Sequence, residues 1–361
     1  MMNTSNPAMP SVKFVETNGI RMAVYEDGPA NGRPVVLLHG FPELAYSWRH
    51  QIPALAEAGY RVIAPDLRGY GLTSCPPKVE DYDLEHLMDD LIGLLDALSI
   101  EKAIWFAHDW GGILGWQLPL FHHDRTAGVI GVNTPFIPHW QLWLQPDQIA
   151  DLAPDFVPDP YKDPIEQMRQ VYCPEMYVLM FQNGGVSDKV LDRDPRRTFQ
   201  AFFRKNGLPY SEYRKLPPAS RNMDLLTPLA GLKSGAFLGD DILTPEELNF
   251  YADRFANTGF TPGINWYRNI SRNWKAGLGI DQTVRVPSLM ISGEDDPILT
   301  AGMASGMRAH VPDLESQVIP RCGHWTQEHK PDELNALALN WLARRFPSQK
   351  TARIIYHAQD H

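Results

Sequence analysis

The chain has 361 residues, enough for one large α/β unit with an insertion or for two ordinary domains. Its composition, 43% apolar and 21% charged, is that of a folded globular protein, and no apolar run reaches the ~18 residues of a transmembrane helix. Lys and Arg number 33 against 43 Asp and Glu, a net charge of −10 with no basic block, which argues against nucleic acid and anionic membrane surfaces as partners. Residues 1–10 lack the basic start and apolar stretch of a signal peptide. Cys75, Cys173 and Cys322 form no CxxC pair, so neither a disulfide framework nor a zinc site is expected, and a reducing cytoplasm is.

Short apolar runs of strand length occupy 35–38, 61–64, 103–107 and 128–132. Before the third of them, Leu84, Leu87, Met88, Leu91, Ile92, Leu95 and Leu98 recur at helical spacing, with Asp83 as N-cap. Continuous apolar strands joined by helices predict a parallel sheet covered on both faces, doubly wound through right-handed crossovers. After Asn133 the rhythm stops. Seven prolines fall between 135 and 164, which is incompatible with a regular helix or a central strand. Helix-like segments follow at about 165–182, 187–205 and 245–257, and strand-like runs return at 287–291 and 315–319. Pro331 then opens a helix carrying Leu334, Leu337, Ala338, Trp341 and Leu342 on one face. The expected organisation is an α/β core at 11–135 and 266–346, split by a helical lid at 136–265, with a tail at 347–361.

Ala107-His108-Asp109-Trp110-Gly111-Gly112 joins the run 103–107 to a helix. This is the setting of a nucleophile elbow, a strained strand-to-helix turn that lifts its central residue above the sheet and needs small neighbours. That residue is Asp109. A serine there would need a base before attacking, whereas a carboxylate, with an ordinary pKa of ~3.9, is already ionised. It suits attack on a saturated carbon, as in an epoxide or haloalkane, and leaves an ester whose carbonyl water then attacks. The alternative is a helix cap without chemistry. His39-Gly40-Phe41-Pro42 follows the run 35–38, in the place where α/β-hydrolases supply one oxyanion-hole N–H. The backbone N–H groups of Phe41 and Trp110 are the expected donors, and Phe41-Pro42 is a candidate cis bond.

In this fold the acid and then the histidine follow the nucleophile along the chain. Glu294-Asp295-Asp296 closes the run 287–291, and Cys322-Gly323-His324-Trp325 closes the last strand. His324 is the expected base toward water, oriented by Asp296, with Asp295 the main rival and Glu294 more remote. His39 and His108 are expected to hydrogen-bond locally, and Cys322 to pack.

With HGFPE (39–43), DLRGYG (66–71), HDWGG (108–112) and CGHWTQ (322–327), the sequence resembles the soluble epoxide hydrolases of the α/β-hydrolase superfamily over about 33–341. The lid segments around Tyr177 (YVLMFQ) and Tyr267 (NWYRN) resemble the family's two epoxide-binding tyrosines. The resemblance implies that both hydrogen-bond the epoxide oxygen and protonate the departing alkoxide. A phenol of pKa ~10 is protonated at neutral pH yet acidic enough for that task. It implies a small-molecule epoxide and water as reactants and no cofactor or metal, and leaves the oligomeric state open, a homodimer included. Two residues depart from the pattern. Met180 stands where many relatives carry an aromatic, a change expected to reshape the pocket beside Tyr177, and Pro119 is expected to kink the helix after the elbow.

Haloalkane dehalogenase is the nearest alternative, since Trp110 satisfies half of a halide cradle. Phe41, however, stands where an amide donor is often found, and a phenyl ring has no N–H to offer. A non-catalytic receptor on the same fold is the alternative from another class.

Overall fold

Strands that are apolar on both faces fold only where both faces are covered. In β3 (Arg33–Leu38), Val35 and Leu37 point into one buried cluster while Val36 and Leu38 point into another. This alternation repeats in β4 (Tyr60–Pro65), β5 (Ala103–His108) and β6 (Thr126–Val132). The computed structural model describes residues 9–231 and 237–350. Its sheet also contains β1 (Val12–Thr17), β2 (Ile20–Asp27), β9 (Ser288–Gly293) and β10 (Leu314–Ile319), in the order β1-β2-β4-β3-β5-β6-β9-β10. β7 (Arg204–Lys205) and β8 (Asp240–Asp241) make a separate short ribbon in the insertion. From β4 onward across the sheet every pairing is parallel. Helices Gln51–Glu57 and Pro331–Arg345 cover one face, and Leu84–Ala97 and Trp110–Phe121 cover the other. The fold is the expected α/β-hydrolase sheet with an inserted helical lid.

Asp83 caps its helix as expected, its carboxylate accepting the His86 N–H at 3.1 Å. Four strands were not among those expected, the short pair β7 and β8 and, in the main sheet, β1 and β2. β1 and β2 form an antiparallel hairpin closed by Asn18-Gly19, both at positive φ (43° and 74°), which is the two-residue turn that an Asn-Gly pair favours. Of the three expected lid helices, 245–257 is found as Pro245–Thr258, and the other two are broken. The segment 165–182 is two helices, Pro164–Val171 and Tyr177–Gln182, because Pro174 has no N–H to continue the ladder. Likewise Val186–Asp192 gives way at Asp194-Pro195 to Pro195–Phe202. The boundary expected at 265 falls inside helix Thr261–Arg268, and Ile270–Ala276 follows before the sheet resumes. The helix after the elbow runs through Pro119 and ends two residues later. Of the tail, 347–350 is described: Ser348 donates to the Ala58 carbonyl at 2.7 Å, and 351–361 lies outside the described residues. Among the described residues, no helix is long and apolar enough to cross a membrane.

Gly111 shows how tightly the elbow packs. A Cβ there would fall within contact-forbidden range of the Leu38 and His39 backbone oxygens, which cannot swing aside. Gly111→Ala is therefore expected to destabilise the fold by about 3 kcal/mol. A thermal midpoint within about 1 °C of wild type would show that the strand–helix approach is looser than this.

Candidate active site

Asp109 sits between β5 and helix Trp110–Phe121 with φ 51° and ψ −120°, a conformation that a β-carbon residue adopts only under constraint. The constraint is visible. Its carbonyl accepts the Thr134 hydroxyl at 2.9 Å and the Ile113 N–H at 3.0 Å, while Gly40 presses against its side chain without a Cβ of its own. The Phe41 N–H donates to Asp109 Oδ1 at 2.7 Å, and Phe41-Pro42 is cis. Trp110, whose N–H was the second expected donor, opens the helix directly after the elbow.

His324 Nε2 lies 3.7 Å from Asp109 Oδ2, and His324 Nδ1 lies 2.8 Å from Asp296 Oδ2. Asp296 is fully buried and also accepts the Asn133 side-chain N–H at 2.8 Å and the Ile298 and Leu299 N–H groups at 2.9 and 3.0 Å. Its rivals point elsewhere: Asp295 accepts the Tyr210 N–H and Glu294 the Arg321 N–H. Burial alone would raise the Asp296 carboxyl, but His324 and the two backbone N–H groups outweigh it and hold it below the usual carboxylate range. Burial alone would depress the His324 imidazole, but Asp296, and beyond it Asp109 and Glu43, raise it to about 9. Asp109 moves upward, because burial outweighs the help of His324, His108 and the Phe41 N–H. The pair therefore rests as imidazolium against a poorly solvated, more basic carboxylate.

A cavity of about 640 Å³ reaches this pair, and Phe41, Asp109, Tyr177, Tyr267 and His324 all line it. Tyr177 opens helix Tyr177–Gln182 and Tyr267 ends Thr261–Arg268, and their rings meet edge to face at 5.8 Å. Both phenols are buried, and burial pushes both above the usual tyrosine value, so both keep their protons. The rest of the lining is mainly apolar, with Phe202, Leu208, Leu216, Leu225 and Ile298, together with polar residues such as Arg204, Lys205, Asn206 and Arg321. Met180 packs half-buried against the core cluster rather than lining the cavity.

The α/β hydrolase fold family profile matches residues 33–167 and 180–331. Epoxide hydrolase A of Mycobacterium tuberculosis is 40% identical over 346 residues, covering 92% of this chain and 97% of that protein. Rat bifunctional epoxide hydrolase 2 is 37% identical over 90% of this chain, which spans only 54% of that longer protein. Among solved structures, epoxide hydrolase A from Mycobacterium thermoresistibile superposes with a TM-score of 0.78 at 38% identity, covering 92% and 98% of the two chains. Epoxide hydrolase VrEH1 from Vigna radiata superposes with a TM-score of 0.75 at 31% identity, covering 92% and 98%. The chain belongs to the epoxide hydrolases of the α/β-hydrolase fold.

Two polar residues of this epoxide hydrolase site, Glu43 and Asn133, had no role assigned from sequence. Glu43, in the HGFPE run, is fully buried under the elbow, where it accepts from the Gly40 N–H and the Gln327 amide and pairs with His108 Nδ1 at 3.0 Å. Burial would raise it, but His108 and His39 hold it below the carboxylate range. His108 in turn meets the His324 carbonyl through Nε2 at 2.8 Å, so the buried acid supports the loop that carries His324. Asn133 ties Asp296 to Thr326, and Trp143 donates to the Tyr177 oxygen at 2.9 Å. His39 is bonded locally and kept neutral by burial, which lowers it to about 4. Cys322 is a buried thiol that burial raises to about 12.

Because the His324 value is raised, its ion pairs stabilise the fold fully below the ordinary imidazole value of 6.5 and lose that effect as pH rises through about 9. Asp296 works in the opposite sense, contributing above 3.8 and losing its contribution as pH falls through its depressed value. In NMR titrations the His324 ring should be protonated at neutral pH and titrate near 9, and Asp296→Asn should lower that midpoint. A neutral ring at pH ~7 in the wild-type enzyme would contradict this charge assignment.

Proposed function

We propose that this chain converts epoxides to vicinal diols in two steps through a covalent ester on Asp109. In the first, an Asp109 carboxylate oxygen attacks an epoxide carbon from behind while Tyr177 and Tyr267 hydrogen-bond the ring oxygen. The C–O bond breaks, a carbon–carboxylate bond forms, and a tyrosine proton passes to the alkoxide. In the second, His324 takes a proton from water, which adds to the ester carbonyl. The tetrahedral oxyanion meets the Phe41 and Trp110 N–H groups, and collapse releases the diol. Asp296 holds the imidazole in the tautomer this requires.

The observation that carries the reading is one cavity lined together by Asp109, His324 and the phenols of Tyr177 and Tyr267. The charges order the steps. Esterification removes the Asp109 anion, one of the groups that raise His324, which lowers the imidazolium toward a value at which it can give up its proton and act as a base, while Asp296 continues to hold it. That released proton balances the one the tyrosine gave away. Aqueous epoxide and water are the only reactants, consistent with the mainly apolar lining of the cavity.

Dehalogenation has one observation in its favour: the buried Trp110 indole N–H has no hydrogen-bond partner and lies against Tyr267. Of the other indoles packed on Trp110, Trp143 is committed to Tyr177 and Trp266 to the Arg68 carbonyl, Trp140 is unpartnered but does not line the cavity, and Phe41 offers only a ring.

Two measurements test the proposal. The wild-type enzyme should form diols from a panel of aryl, alkyl and fatty-acid epoxides and release little bromide from 1-bromobutane; brisk bromide release with epoxides untouched would reverse the ranking. His324→Gln should accumulate an ester, heavier than the protein by one epoxide and mapping to the Asp109 peptide, and Asp109→Ala should form none. If His324→Gln gathers no adduct although diol still forms, the covalent route fails.

A further inference from the structure

The two lid tyrosines are held differently. Tyr267 is held chiefly by rings, edge-on to Trp110 at 4.9 Å, Phe181 at 4.9 Å and Phe41 at 5.4 Å, with the Trp110 indole N–H bearing only weakly on its oxygen. Tyr177 has a polar anchor: its oxygen accepts the Trp143 indole N–H at 2.9 Å, with both side chains buried. Trp143 sits in the single turn Leu142–Leu144, and its carbonyl accepts the Tyr172 hydroxyl at 2.7 Å, so a second residue tethers the turn. Its neighbour Trp140 is equally buried, yet the Trp140 indole N–H has no partner. Packing in this part of the lid thus does not by itself bring an indole N–H onto an acceptor.

We propose that Trp143 is a positioning residue for epoxide opening: its N–H occupies the Tyr177 oxygen, turns the phenol's own proton into the cavity and stabilises the phenolate that proton transfer leaves behind. A phenol has one proton and a limited set of lone-pair directions. With one lone pair taken by Trp143, the O–H is left to the open side, which is the cavity. Donation into the oxygen also polarises the O–H and makes it a better donor. As the ring C–O bond breaks, the Tyr177 proton passes to the alkoxide and the negative charge moves to the phenol oxygen. The Trp143 N–H then serves a charged acceptor, so its hydrogen bond strengthens on the way to the transition state rather than in the ground state.

This inference rests on the reading that Tyr177 donates to the epoxide oxygen, and the test separates the two. In the His324→Gln background, ester formation is followed by rapid quench and mass spectrometry for Trp143→Phe, Tyr177→Phe and the pair together. Trp143→Phe should slow ester formation about tenfold, and the same change in a Tyr177→Phe chain should alter it by less than about twofold. Replacing Trp143 with β-(3-benzothienyl)alanine, which keeps the bicyclic shape and lacks only the N–H, should reproduce the slowing. It answers the question alone if Trp143→Phe does not fold. Equal slowing by Trp143→Phe in both backgrounds, or wild-type rates with the benzothienyl isostere, would make Trp143 a packing residue and overturn the inference while leaving Tyr177 in place. Unchanged ester formation in Tyr177→Phe would overturn both readings.

Discussion

The site depends on keeping one carboxylate charged in a place where water can hardly reach it. Asp109 lies under a lid of aromatic rings, its side chain 15% exposed, where isolated charge is strongly disfavoured. Two groups answer that charge directly, the Phe41 N–H and the His324 ring. The imidazolium then needs its own anion, which is Asp296, and Asp296 is buried deeply enough to need four donors. Beneath the elbow, Glu43 repeats the pattern with His108, Gly40 and Gln327. Charge alternates from Asp109 through His324 to Asp296, with burial raising the Asp109 carboxyl and Asp296 raising the His324 ring.

The core supplies these charges, and the lid supplies the phenols, so catalysis as proposed depends on how the two are docked. Arg49 of the core bridges lid Glu247 at 2.9 Å and core Glu328 at 2.8 Å, and lid Tyr251 donates to the same Glu328 at 2.7 Å. Next to His324, the Trp325 ring stacks on lid Phe203 at 4.1 Å, and its indole N–H reaches the Phe202 carbonyl. Lid and triad loop are therefore joined within one or a few residues of the histidine. A buried, hydrogen-bonded network of this kind favours one arrangement over near alternatives, because separating any one partner strands a charge.

The parts of this arrangement legible in sequence are those whose signal is local. Small residues around Asp109, acids at one strand end and a histidine at the next mark the elbow and triad because each depends on a strand-to-loop transition. Neither composition nor spacing separates Asp296 from Asp295; what favours Asp296 is that four donors from three separate segments converge on it. Glu43, Asn133 and Trp143 act through partners up to 284 residues away; the HGFPE run marks the neighbourhood of Glu43, but no local pattern marks those partners. The hairpin at Asn18-Gly19 did have a local signal, an Asn-Gly pair between apolar-alternating runs. Two of the lid helices were overextended because hydrophobic spacing continues across Pro174 and Pro195 even where the hydrogen-bond ladder does not.

The central claim is that Asp109, rather than water, attacks the epoxide. A single turnover of the wild-type enzyme in ¹⁸O-water tests it most directly, because the oxygen delivered to carbon in the first step comes from the carboxylate. The first diol formed should be unlabelled, with the ¹⁸O appearing in the Asp109 side chain after ester hydrolysis. A labelled first-turnover diol with an unlabelled Asp109 would mean that water attacks the epoxide directly, leaving the carboxylate at most a general base.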